Sequence, residues 1–147
     1  MKVIAGCVIR KDNKILMVKE ANPKFYGQWS YPAGKVEEYE KVTEGAIRET
    51  LEETGCKVKL IGVLPIASVD LKEETHIIIR FLAEILEENI LFNEKEILDV
   101  KWIDIEDIKK MTKEELRGYD TNIKTIYDIE NNNIYPLEIF DNNYYNS

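Results

Sequence analysis

Two apolar runs, Val3 to Ile9 and Ile15 to Lys19, flank the polar stretch Lys11-Asp12-Asn13-Lys14, which predicts a β-hairpin. Ala21 to Gln28 carries Asn, Pro and Gly and reads as a loop. The period then changes. From Val42 to Thr54 a small or apolar stripe, Ala46, Ile47, Thr50, Leu51 and Thr54, repeats at helical spacing and is expected to pack on the core. Thr43 is the expected N-cap, and Gly45 weakens the helix interior by about 1 kcal/mol relative to Ala. Lys57 to Ser68, interrupted near Pro65, Thr75 to Leu86 and Val100 to Ile103 are β-rich. Spaced apolar residues over Ile105 to Met111 and Lys113 to Ile129 predict one short and one longer helix, the second interrupted by Gly118. Beyond Asn131 no period emerges, although Leu137, Ile139 and Phe140 offer a short strand that could dock. The pattern thus divides the chain into one domain, residues 1–130, and a tail, residues 131–147. By itself it supports a generic α/β or α+β domain.

The other face of the helix at 42–54 is acidic. Glu49, Glu52 and Glu53 stand three and four positions apart, so helical periodicity turns them the same way. Like charges so placed repel by a few tenths of a kcal/mol per pair, roughly, unless something offsets them. A hard divalent cation such as Mg²⁺ does so, because it takes carboxylate and water oxygens and bridges them to phosphates. A lone acidic pair on a helix is ordinarily just a solvated face. Here the surrounding string is also in register: Gly34, five residues, Glu40, seven residues, then Arg48-Glu49-Thr50-Leu51-Glu52-Glu53-Thr54-Gly55-Cys56, with Gly55 at a helix stop.

That string, Gly34 to Cys56, resembles the Nudix box, the signature of a family that hydrolyses nucleoside diphosphates linked to another moiety. Thr50 and Cys56 stand where the family usually has aliphatic residues, and Ala33 stands where Gly is commoner. The departures touch the buried side and not the acids. The resemblance implies a Nudix-type α/β/α sandwich with a mixed β-sheet. It also implies hydrolysis of a pyrophosphate bond by water attack on phosphorus, with Mg²⁺, or Mn²⁺, as cofactor. Carried over position by position, Glu52 and Glu53 are metal ligands, Glu49 is a third ligand or the base that activates water, Arg48 orients Glu49, and Gly34 offers its carbonyl. Glu40 is the peripheral acid of the box, a ligand or a structural group. Glu96 to Trp102 resembles a segment in many relatives where an acid precedes the strand bearing a Trp, which makes Glu96 a candidate metal ligand, with an ordinary exposed loop acid as the alternative.

Substrate contacts are less legible. Arg80, alone in the apolar run His76 to Leu82, must be paired, face outward or face a cleft, and its planar fork suits phosphate. Lys35 is a further candidate phosphate contact. Trp29 and Tyr31, close to the box, offer aromatic faces for a base, with packing as the alternative. His76 has no nucleophile placed beside it and is no convincing general base. Within the family, Pro32-Ala33-Gly34-Lys35-Val36-Glu37, Arg80-Phe81 and the spacing to Trp102 resemble a bacterial branch acting on nucleoside di- and triphosphates and thiamine-pathway pyrophosphates. A noncatalytic nucleotide-sensing module of the same fold is the rival reading.

Composition narrows the setting. The 147 residues are 44% hydrophobic and 10% aromatic, enough for one packed core. A formal charge of −8 disfavours indiscriminate binding to nucleic-acid backbones, so no stable nucleic-acid partner is expected, and a polyanionic small molecule would be held by metal and local cations. Two cysteines without a CxxC pair suit a reducing cytosol. No signal-peptide pattern or membrane-length apolar run is present, and a cytoplasmic monomer or homodimer is expected.

Overall fold

The computed structural model describes residues 1–72 and 74–143. The hairpin forms as expected: β1 (Lys2–Lys11) turns through Asp12, at φ 54°, into β2 (Lys14–Glu20). Asp is one of the few residues that enters the left-handed region cheaply, which is what a two-residue turn needs. Two short strands follow, β3 (Trp29–Ser30) and β4 (Ala33–Lys35), then helix α1 (Val42–Thr54). The chain continues through β5 (Lys57–Val63), β6 (Ala67–Leu71), β7 (Glu74–Glu87), β8 (Ile97–Asp104), α2 (Ile105–Lys109) and α3 (Tyr119–Glu130).

Strand β1 is the hinge of the architecture. It pairs in parallel with β7 and antiparallel with β4, while its far end pairs with β2, which continues to β3 and β8. β5 and β6 pair with β7 on its other edge. The result is a mixed sheet with α1 on one side and α2 and α3 on the other. Alternation along β1 sorts the two cores: Ala5, Cys7 and Ile9 pack with Ala46 of α1, whereas Val8 packs with Ile105, Ile108, Ile126 and Ile129 of α2 and α3. This is the expected α/β/α sandwich. Among the described residues no helix is long and apolar enough to cross a membrane.

Several local expectations change. Lys41, not Thr43, is the N-cap of α1, and it makes no side-chain cap; Thr43 is buried and accepts a hydrogen bond from Asn142 Nδ2 at 2.9 Å. Ile47 and Leu51 of the supposed core stripe are exposed, and the buried set is Thr43, Gly45, Ala46, Thr50 and Thr54. Small residues and threonines let α1 lie close to the sheet, and Thr50 and Thr54 satisfy their hydroxyls on the carbonyls of Ala46 and Thr50. Gly118 does not interrupt a helix; it sits at φ 57° and starts α3, so residues 113–117 are outside it. The tail does not add a strand through Leu137, Ile139 and Phe140. Residues Leu137–Ile139 form a 3-10 turn, Tyr135 bridges Val63, and the Phe140 ring lies 5.3 Å from that of Phe81. Residues 144–147 lie outside the described residues.

Candidate functional site

Three consecutive residues of β4 each receive a side chain from α1. The N–H of Ala33 donates to Glu53 Oε1 at 2.8 Å, and the Lys35 carbonyl accepts from Arg48 Nη2 at 3.1 Å. Between them the Glu49 carboxylate lies directly on Gly34, where a Cβ would collide with it. Any larger residue here would have to displace the Glu49 carboxylate, so glycine at this position is what lets the acid rest on the strand.

Arg48 gathers the box acids. Its Nε and Nη2 clasp Glu40 at 2.6 and 3.0 Å, and its Nη1 donates to Glu49 Oε1 at 2.9 Å and to both oxygens of Glu52 at 3.2 Å. Glu37 lies 3.7 Å away. Glu40 is paired fork to fork with Arg48, and the hydrogen bond from Arg48 chiefly holds its carboxyl below the usual carboxylate value. Gly45 has a reason too: Glu40 Oε1 would stand 2.9 Å from a Cβ there.

The three helix acids do not share one environment. At about 100° per residue, Glu53 follows Glu49 within 40° while Glu52 lies some 60° to the other side, beside Arg48. Glu52 is accordingly the exposed member. Glu49 and Glu53 are drawn inward. Burial raises the Glu49 carboxyl despite Arg48, and burial, reinforced by the charges of Glu20 and Glu49, pushes Glu53 up to about 8. Among the described residues no three acidic, imidazole or thiol groups already form a closed cage for a cation. The donor set nevertheless suits a hard, hydrated divalent ion: two desolvated carboxylates that repel each other and a third at the rim. Glu96 sits in the turn before β8. Its carbonyl accepts from Ala21 N at 3.1 Å, its side chain is exposed, and no contact with the box acids ties its carboxylate to the site.

The substrate-side residues are placed as follows. Arg80 is buried, 8% exposed, with its guanidinium 5.7 Å from the centre of the Tyr31 ring. Tyr31 itself is buried and its hydroxyl donates to the Asn122 backbone carbonyl at 2.7 Å, so it offers no free face to a base. Trp29 is half-buried against the α2–α3 core, with Lys19 over its ring at 5.7 Å. The Lys35 side chain is exposed. His76 pairs with Glu74 at 3.6 Å on the far part of β7.

Glu20 and Arg117 belong to this region and were not singled out from the sequence. Glu20, 8% exposed, is bonded to Arg117 Nη1 at 3.1 Å, and both act electrostatically on Glu53. Arg117 lies 3.8 Å over the Phe25 ring. An acid ending the apolar run of β2 was the available signal for Glu20. Arg117 was hidden because its segment reads as helical.

Comparison with known proteins agrees with this geometry. Residues 1–122 match the NUDIX domain model. Nudix hydrolase 6 of Arabidopsis thaliana is 36% identical over 107 residues, which are 67% of this chain and 36% of that protein. An ADP-ribose pyrophosphatase of Methanocaldococcus jannaschii is 43% identical over 83 residues, 54% of this chain and 48% of that one. The chain thus spans about a third to a half of the length of these curated relatives. A NUDIX hydrolase structure from Nitrosomonas europaea superposes with a TM-score of 0.86 at 24% identity, covering 95% of both chains, and shows the shared fold. With the box acids and glycines in register on that fold, and the domain match running from residue 1 to 122, the chain belongs to the NUDIX family.

Proposed function

We propose that this protein hydrolyses a pyrophosphate bond by water attack on phosphorus, in a nucleoside di- or triphosphate or in a nucleoside diphosphate linked to another moiety. The observation that carries the reading is the convergence of Glu49 and Glu53 on the Gly34–Ala33 backbone, with Arg48 fixing the first and the Ala33 N–H fixing the second. Glu49, Glu52, Glu53 and the Gly34 carbonyl would hold Mg²⁺ or Mn²⁺, with Glu96 as an outer candidate. Such an ion, when bound, neutralises phosphate charge and acidifies water.

The chain's own residues supply the rest. Arg48 occupies Oε1 of Glu49 and so leaves Oε2 as the oxygen that can accept a proton from an attacking water. The Ala33 N–H fixes the rotamer of Glu53 at the strand edge. Arg80 and Lys35 are cations for substrate phosphates, and preorganised charge of this kind needs no rearrangement as negative charge develops. The name of the archaeal relative favours including a nucleoside diphosphate joined to a sugar among the substrates.

The test is release of phosphate and pyrophosphate from nucleotides, sugar nucleotides and thiamine-pathway pyrophosphates, with Mg²⁺, Mn²⁺ or chelator. Metal-dependent turnover that vanishes in Glu53→Gln is the expected result. Saturable nucleotide binding with no turnover on any of them would instead favour a noncatalytic sensor.

A further inference from the structure

Arg80 alternates with Ile79 and Phe81 on β7, and because Phe81 packs toward α1, Arg80 points to the opposite face of the sheet. Acids outnumber bases in this chain, 28 to 20, yet among the described residues Arg80 has no carboxylate partner and no side-chain hydrogen bond. Only the Tyr31 ring receives it. A guanidinium nine-tenths buried is ordinarily paired, since desolvating a charge without a counter-charge is costly.

A second group in the same place, Asn122, is unsatisfied. Asn122 is 3% exposed; its Nδ2 donates to the Arg117 carbonyl at 2.6 Å and its own carbonyl accepts from the Tyr31 hydroxyl. Its Oδ1 has no partner. Tyr31 therefore joins a buried cation lacking an anion to a buried amide lacking a donor, and native interiors leave few such groups without a ligand or water. Arg117 completes the set. Glu20 engages its Nη1, and the half-exposed guanidinium stands 3.8 Å from the centre of the Phe25 ring.

We propose that Arg80 and Arg117 form a phosphate subsite that takes a phosphate of the substrate other than the one placed at Glu49 and Glu53. Glu20 links the two ends: it accepts from Arg117 Nη1 at 3.1 Å, and Glu53 feels the charges of both. Paired guanidiniums suit a phosphate's planar oxygen edges better than a point charge would. The subsite rests on the hydrolase reading for its substrate, but not for its ability to bind.

Binding of inorganic pyrophosphate to the metal-free protein, in chelator and followed calorimetrically, tests it without turnover. Arg80→Met and Arg117→Met should each weaken binding at least tenfold, while Arg10→Met, on the exposed end of β1, changes nothing. Arg117→Met is half-exposed and keeps the measurement valid if Arg80→Met does not fold. Retention of wild-type affinity in folded Arg117→Met would overturn the assignment. Turnover with Mg²⁺ is measured in parallel. Arginine-dependent pyrophosphate binding without any turnover leaves the subsite standing and removes the hydrolase reading; turnover whose KM is unchanged in the arginine variants does the reverse.

Discussion

The carboxylate of Glu49 rests on the backbone of Gly34, so that the strand residue and the helix acid occupy complementary space. Gly34→Ala should drive Glu49 away from the site while leaving the strand conformation accessible. Turnover is expected to fall by roughly one to two orders of magnitude, about 1.4 kcal/mol per tenfold, with little loss of secondary structure. Kinetics alongside circular dichroism check this, and wild-type kcat/KM in Gly34→Ala would refute the placement.

The Glu53 carboxyl, raised to about 8 by burial and by Glu20 and Glu49, makes stability depend on pH. Between its ordinary value near 4.5 and about 8, the folded metal-free chain keeps a proton that the unfolded chain has lost. This group's contribution is therefore fully present below the lower value and is lost as pH rises through the upper one. Glu53→Gln keeps an acceptor for the Ala33 N–H and removes the charge. In chelator it should melt several degrees above wild type at pH 8, on the order of 1–3 kcal/mol, and alongside it at pH 4. Identical melting curves at pH 8 would count against a desolvated Glu53.

Arg48→Lys keeps a charge but loses the fork on Glu40 and the simultaneous reach to Glu49 and Glu52. A loss of about 1–3 kcal/mol in stability is expected, as for charge-assisted hydrogen bonds, with a larger drop in turnover than in substrate affinity. Denaturant titration and steady-state kinetics measure the two. A variant altered only in KM would mean that Arg48 serves substrate binding instead.

Cys7 is fully buried, its Sγ facing the Ala46 carbonyl at 3.6 Å, and burial pushes the thiol up to about 12. At pH 8 it carries no thiolate. Alkylation by iodoacetamide should proceed only through unfolding, so mass spectrometry should find Cys7 unmodified in the native protein and modified in denaturant. Rapid native labelling would contradict this packing.

The tail beyond α3 is tied to β5 by the Tyr135–Val63 bridge and to the core by Phe140 against Phe81. Truncation after residue 130 should lower the melting temperature, and Phe140→Ala alone should cost about 1–3 kcal/mol. An unchanged melting temperature in the truncated chain would show that the tail adds nothing to the domain.

The box helix could be read residue by residue because its signal is local: a fixed spacing, acids on one side and Gly55 at its end. Its packing was less legible. Periodicity treats Ile47 and Leu51 as core, but the sheet meets α1 along its small residues and leaves the larger ones outside. The tail and the Arg117 segment were misread for a related reason. Leu116 and Arg117 are held by strand-like contacts with Trp29, nearly ninety positions away, and no local window contains that partner. Arg80 stood out as a cation in an apolar run, whereas Tyr31 as its seat required the fold.

Ala33 on β4, Gly6 on β1 and Arg80 on β7 lie in one row across three hydrogen-bonded strands. Strand spacing is set by backbone hydrogen bonding at about 4.8 Å, so the interval from the acid-bearing edge to Arg80 is roughly two such steps, near 10 Å. That makes the sheet a ruler. Side-chain changes can alter what grips a substrate at either end, but the separation between the grips changes only if a strand slips register, and a one-residue slip would exchange the residues that β1 sends to its two buried cores. If Arg80 and the box acids grip one substrate as proposed, the length of molecule accepted is inherited from the backbone.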